Sequence, residues 1–257
     1  MRIETLKLSA TRCYLVETGH GYVLIDTGYE SDWALFSRRL QQAGARLSEI
    51  SHVILTHHHD DHCGLLNPIT RANEAVRVVM SHRAPELLAA GHNDRTHETG
   101  WVSRRASWLI SLLRRAQADF DRHWRTHEFP PYTRRESDVL IEGETNLEDI
   151  GIGLRGRIIE TPGHTNDSIS VLLEDGSCFV GDAAANLPAL AGTRYCVILL
   201  EDIEEYYQSW DKLIRAGARR IFPAHGEPFA VERLRRHRGD IRRSDMVHYS
   251  PAGLAGT

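Results

Sequence analysis

Thr56-His57-His58-His59-Asp60-Asp61-His62 is the stretch that most narrows what this chain can become. Imidazole and carboxylate groups are costly to bury without partners. Here they crowd together directly after Ser51-His52-Val53-Ile54-Leu55, a segment whose apolar end reads as a buried strand. Neutral imidazole nitrogen and carboxylate oxygen are good ligands for zinc and other first-row metals. His57 and His59 alternate, as two ligands on one side of an extended strand end would. Asp61 and His62 follow at once, where the chain can turn toward a second ion. Ligands at the end of a core strand also sit on a rigid element. His58 and Asp60 occupy the intervening positions and are read as outward-facing or supporting residues, not ligands.

Three later segments repeat the arrangement. Thr161-Pro162-Gly163-His164-Thr165 follows Ile158-Ile159, Val180-Gly181-Asp182 closes a strand-like run, and Pro223-Ala224-His225-Gly226 follows Arg220-Ile221-Phe222. Each presents a His or Asp after a short apolar run, beside a Gly or Pro that turns the chain. Taken singly, His164 or His225 reads as hydrogen-bonded core and Asp182 as a helix cap. Asp26, in Asp26-Thr27-Gly28, reads alone as a turn residue. Taken together, so many ionisable groups at strand ends read as a metal site.

With His57-x-His59-x-Asp61-His62, then His164, Asp182 and His225, and Leu24-Ile25-Asp26-Thr27-Gly28 upstream, the chain resembles the metallo-β-lactamase-fold superfamily over roughly residues 10 to 230. The resemblance implies an α/β fold, a four-layer αββα sandwich of two face-to-face sheets with helices outside. The residues themselves show only an alternating α/β chain with two similar halves. The resemblance also implies a first metal on His57, His59 and His164, a second on Asp61, His62 and His225, and Asp182 as the bridge. Asp26 would orient a ligand from behind. The cofactors implied are two Zn2+, with Fe or Mn as alternatives.

The chemistry implied is hydrolysis by a hydroxide shared between the metals, acting on a small ester, thioester or lactone. Asp61 and Asp182 are the expected catalytic carboxylates, Asp61 as a group that holds or moves a proton. Alternatives are a phosphodiesterase, a mononuclear iron oxygenase like the persulfide dioxygenases, and a non-catalytic binding protein on the same scaffold. True β-lactamases of this fold generally lack the bridging aspartate. Glyoxalase II relatives carry a sizeable C-terminal helical domain, for which the stretch after His225 is too short. Acyl-homoserine-lactone lactonases usually place a Tyr soon after the bridging aspartate, whereas here Ala183-Ala184-Ala185-Asn186-Leu187 follows and Tyr195 is the first aromatic.

The chain has 257 residues and a formal charge of −4. One domain of that length can bury a large core. The charge argues against nucleic-acid binding by bulk electrostatics. There is no run of about eighteen apolar residues, so no membrane span is expected. Met1-Arg2-Ile3-Glu4-Thr5-Leu6-Lys7 lacks the apolar segment of a signal peptide, so a cytoplasmic location is expected. Cys13, Cys63, Cys178 and Cys196 form no Cys-x-x-Cys pair and read as free thiols. Cys63, beside His62, is either a small filler next to Gly64 or a ligand.

Ser31 to Ala43 and Glu204 to Ala216 carry helical apolar spacing. Residues 82–138 break the strand–helix rhythm within a single domain spanning 1–257. There Trp101, Trp108, Leu109, Leu112, Leu113 and Ala116 form an apolar stripe at helical spacing. This segment reads as a mostly helical insertion, either a lid over the metal site or a homodimer contact. Its His92, His97, His123 and His127 read as surface residues. Arg104, Arg105, Arg114, Arg115, Arg122, Arg125, Arg134 and Arg135 gather in the same segment, and Arg233, Arg235, Arg236 and Arg238 gather near the end. Both groups read as solvated helix faces, or as attraction for an anionic small-molecule substrate or partner.

Overall fold

The structure is a computed structural model and describes residues 1–94, 100–108 and 127–248. Two six-stranded sheets carry the fold. In spatial order the first holds Ile3–Lys7, Arg12–Thr18, Gly21–Ile25, Ile50–Ile54, Arg77–Ser81 and Val139–Ile141. The second holds Phe229–Ala230, Arg220–Pro223, Ser177–Gly181, Ile169–Leu173, Gly156–Glu160 and Thr145–Asn146. A small third sheet orders Leu199–Leu200, Gly100–Trp101 and Val247–His248.

Alternation along the strands dictates the layering. Successive side chains point to opposite faces of a sheet. Tyr14, Val16, Val23, Ile25, Ile54 and Val79 therefore face Ile158, Ile169, Val171, Phe179 and Phe222 of the second sheet in one buried cluster. Their neighbours Leu15, Leu24, Val53 and Val78 face the other way and pack with Phe36, Leu40, Leu66, Ile69 and Leu88 from helices. On the far side Leu172, Cys178, Val180 and Ile221 pack with Tyr206, Tyr207, Trp210, Leu213 and Leu234. The order is helix, sheet, sheet, helix, the expected αββα sandwich. Tyr14 Oη crosses the middle layer to donate to Pro223 O at 2.6 Å.

The helices follow from spacing and caps. Helix α1 (Trp33–Gln42) buries Phe36 and Leu40. Its exit runs through Gly44, whose φ of +73° costs little without a Cβ. Short α2 (Asp60–Cys63) and α3 (Leu66–Ala72) follow the histidine-rich loop, and α4 (Ala84–Ala90) ends at left-handed Gly91. Helix α5 (Ile203–Arg215) is capped by Asp202, which accepts from Glu205 N at 2.8 Å. Helix α6 is Glu232–His237. No helix among the described residues is long and apolar enough to cross a membrane.

The segment 82–138 is seen in part. Its described residues form α4, the strand Gly100–Trp101 and a helical stretch at 104–108. Phe129 and Tyr132 are buried in the first outer core. Leu109, Leu112, Leu113, Ala116, His97, His123 and the arginines from Arg114 to Arg125 lie outside the described residues, as does the choice between lid and dimer contact.

Candidate metal centre

Every expected ligand stands just beyond the C-terminal end of a strand. His57 to His62 follow Ile50–Ile54, His164 follows Gly156–Glu160, Asp182 follows Ser177–Gly181, and His225 follows Arg220–Pro223. Parallel pairing of Gly21–Ile25 with Ile50–Ile54, and of Ser177–Gly181 with Arg220–Pro223, brings these ends together. The two sheets are tied at this edge by Ile169 N donating to Thr56 O at 2.9 Å.

The side chains meet as the sequence motifs require. Three groups have ligand atoms within 4.8 Å of one another: His57, His59 and His164; His57, His62 and Asp182; and Asp61, His62 and His225. His59 Nδ1 lies 3.0 Å from His164 Nε2. Asp182 turns Oδ2 toward His164 Nε2 at 3.3 Å and Oδ1 toward His225 Nε2 at 3.3 Å and His62 Nε2 at 3.6 Å. Asp61 Oδ2 stands 3.2 Å from His225 Nε2. His57, His62, His164 and Asp182 are buried, whereas His59, Asp61 and His225 are half-buried and mark the open side.

Three atoms test whether a cation fits. His57 Nε2, His62 Nε2 and Asp182 Oδ1 are buried with no hydrogen-bond partner. A buried polar atom left unpaired costs about 1–3 kcal/mol, so native interiors keep few of them. Here three point into one another's neighbourhood: His57 Nε2 and Asp182 Oδ1 each offer a lone pair, and His62 Nε2 offers one once it gives up its proton. On three of the histidines the ring nitrogen turned away from the centre is held: His62 Nδ1 meets Asp26 Oδ2 at 2.9 Å, His164 Nδ1 meets Leu199 O at 3.0 Å and His225 Nδ1 meets Ala10 O at 3.2 Å. Those contacts place the proton on Nδ1 and leave Nε2 as the donor atom toward the centre. The residues present suit a metal ion.

The electrostatics agree. Burial, reinforced by the neighbouring imidazoles, pushes His57 and His59 well below the usual histidine range, which keeps them neutral. Burial would do the same to His62, but Asp61, Asp26 and Asp182 override it and hold His62 up at about 9. Burial alone would raise Asp182, yet His225, His62 and His164 hold it below the usual carboxylate range. A centre that pulls a proton onto His62 against burial is one that favours positive charge.

Asp26 does what its motif suggested, with added detail. It is 2% exposed, sits at φ +59° and accepts from Thr56 N at 2.8 Å as well as from His62. Asparagine also tolerates that backbone conformation, so Asp26→Asn isolates the charge. It is expected to weaken metal affinity about 10- to 100-fold. Competition with a chromogenic chelator measures this, and an unchanged affinity removes Asp26 from the centre.

For His58 and Asp60 the structure selects the supporting role over the outward-facing one. His58 and Asp60 do not face outward: they are 1% and 5% exposed. The alternation that sends His57 and His59 to the metal side turns His58 and Asp60 into a second buried layer. His58 contacts Asp167 through Nδ1 at 2.9 Å, and Asp60 pairs with Asn93. Cys63 is filler: its thiol is buried, donates to His58 O at 3.1 Å and belongs to no ligand group. Tyr195 packs against Phe229 and His237 with tilted rings in the outer core. His92 is exposed and His127 half-buried. Arg104, Arg105, Arg134, Arg233, Arg235, Arg236 and Arg238 are exposed, and Arg135 is held by Asp138 at 2.8 Å.

The sequence reading missed Thr11, Thr56, Asp167 and Tyr206. Thr11 Oγ1 donates to Asp61 Oδ2 at 3.0 Å, and Tyr206 Oη donates to Asp182 O at 2.9 Å. Thr56 and Asp167 flank the motifs and could have been flagged as polar residues at strand ends. Thr11 and Tyr206 carry no such signal.

A profile of the metallo-beta-lactamase superfamily matches residues 6–225, and the chain belongs to that superfamily. It is 24% identical over 87% of its length to "Beta-lactamase-like protein 2 homolog" of Drosophila melanogaster. It is 25% identical over 90% of its length to "Probable metallo-hydrolase YqjP" of Bacillus subtilis, covering 72% of that protein. The chain spans 61% of the Drosophila relative and 57% of a like-named Caenorhabditis elegans one. Among solved structures it resembles an archaeal superfamily protein from Sulfolobus tokodaii, with TM-score 0.62 at 19% identity over 93% of this chain and 85% of that one. A family protein from Thermus thermophilus gives TM-score 0.61 at 21% identity over 93% and 78%.

Proposed function

We propose that this chain is a dinuclear metal-dependent hydrolase of small esters, thioesters or lactones. His57, His59 and His164 would hold one ion and Asp61, His62 and His225 the other, with Asp182 shared. The observation that supports two ions is the split of Asp182, one oxygen 3.3 Å from His164 Nε2 and the other 3.3 Å from His225 Nε2. When bound, paired zinc ions supply Lewis acidity and lower the pKa of water from about 15.7 toward neutrality.

The chain's own residues do the rest. Substrate approaches over the half-buried His59, Asp61 and His225, because the other four ligands are covered. Thr11 donates to Asp61 Oδ2, the oxygen that also faces His225 and His62, and so fixes the orientation of that ligand. Tyr206, bonded to Asp182 O, and Trp210 Nε1, which donates to Ala183 O at 2.6 Å, fix the backbone that leaves the shared aspartate. Cys63 is buried, and burial pushes its thiol well above the usual range, so it is not placed to act as a nucleophile.

Elemental analysis of protein purified without added metal or chelator tests this first. About two zinc per chain, with turnover of p-nitrophenyl acetate, thioesters or lactones that chelation abolishes and zinc restores, is the expected result. One iron per chain with sulfite release from a persulfide would replace the hydrolase with the oxygenase.

A further inference from the structure

Asp61 and His62 ride on α2 (Asp60–Cys63), a single turn of helix. A helix start normally takes a side-chain cap from its own N-cap residue. Here that residue is His59, which makes no cap bond because its Nδ1 faces His164 Nε2. The missing acceptor comes from a residue far along the chain. Asn93 Oδ1 accepts from Asp60 N at 2.9 Å, and Asn93 Nδ2 donates to Asp60 Oδ1 at 2.8 Å.

Asn93 is itself held at a neck. Its backbone N donates to His127 O at 2.9 Å, Phe129 N donates to Gly91 O at 2.9 Å, and His92 bridges Glu128. One residue on, Asp94 N donates to His58 Nε2 at 3.0 Å. That bond needs a lone pair on Nε2, so the His58 proton sits on Nδ1 and is given to Asp167 Oδ1. The neck rests on the core through Phe129 and Tyr132, and Asn67 Nδ2 donates to Pro130 O and Pro131 O at 3.2 and 3.1 Å.

We infer that Asn93 is a positioning residue for the second ligand group: by clamping both ends of Asp60 it sets the start of α2 and so the placement of Asp61 and His62. The two buried residues between the ligands, His58 and Asp60, thereby lock the neck and the ligand loop into one unit. The first group is less exposed to the loss of Asn93. Thr56 N and His58 N have their own anchors on Asp26 Oδ1 at 2.8 Å and Asp167 Oδ2 at 2.9 Å.

The inference rests on the two-ion reading where it speaks of metal, so the test has two readouts. In chelated protein, hydrogen exchange at His62 and Cys63 reports α2, since both amides donate to His59 O at 2.9 Å. Asn93→Ala is expected to speed that exchange about tenfold. In metal competition it should weaken the second zinc about 10- to 100-fold and the first by less than about threefold. Asn67→Ala, which removes the bonds to Pro130 and Pro131 but leaves Asn93 bonded to Asp60 and His127, should change each by less than about threefold. Unchanged exchange overturns the inference. So does faster exchange with an unchanged second affinity, or an equal loss at both sites. A wild-type protein that takes up no second zinc defeats the two-ion reading instead, while exchange still decides whether Asn93 holds α2.

Discussion

Asp182→Ala is expected to bind at least one ion fewer than the wild type and to lower hydrolytic turnover by at least a factor of about 1000, on the order of 4 kcal/mol of barrier. The fold is expected to survive. The Asp182 backbone oxygen keeps its bond from Tyr206, and its carboxylate faces only the imidazoles of the centre and Asp61's side of the pocket. Oδ1 has no hydrogen-bond partner, so deleting it removes a buried acceptor that metal-free protein cannot satisfy. Chelated wild type and variant should therefore melt within a few degrees of each other. Added zinc should raise the wild-type melting temperature more, because binding to the folded state alone stabilises it as ligand concentration exceeds Kd. Calorimetry with and without zinc, alongside elemental analysis, separates the two effects. Two ions retained in Asp182→Ala would sink the shared-ligand assignment.

How much of this was legible beforehand depends on distance along the chain. The ligands were legible because metal chemistry compresses four of them into His57 to His62 and marks the others with Gly or Pro at strand ends. Helix α5 was legible because Tyr207, Trp210 and Leu213 share one face, and its Tyr206 was missed because its role is a single bond to Asp182 O. The layer order came from resemblance, since alternation shows that strands have two faces but not what each face meets. The choice between an outward-facing and a supporting role for His58 and Asp60 stayed open for the same reason. A residue opposite a ligand looks solvent-facing until another segment covers it, and the cover, Asn93 and Asp94, comes more than 30 residues later. Gly100–Trp101, Leu199–Leu200 and Val247–His248 are two-residue strands, too short for any period to register, yet they pair into a sheet whose Leu199 O orients His164.

Gly181→Ala is expected to cost about 2–4 kcal/mol, combining left-handed backbone strain with overpacking. For a chain of this size that corresponds to roughly 5–15 °C in melting temperature. Gly181 has φ +50°, and a Cβ there would overlap Thr56 Oγ1 and stand 2.6 Å from Thr56 Cβ. Thr56 has little freedom to yield. Its Oγ1 donates to Asp26 at 2.8 Å, its N donates to the same carboxylate, and its O accepts from Ile169. Pushing Thr56 therefore moves Asp26, and with it the acceptor that orients His62. The same variant should lose metal affinity at the second group even where enough folded protein remains to measure. Gly217→Ala separates the two causes, since Gly217 has φ +99° with nothing within 4 Å of the added Cβ. It carries the backbone strain alone, about 1–2 kcal/mol, and should bind zinc as the wild type does. Equal melting temperatures and equal zinc affinities for the two variants would show that the Gly181–Thr56 contact is not what holds the strand ends, and the centre, together.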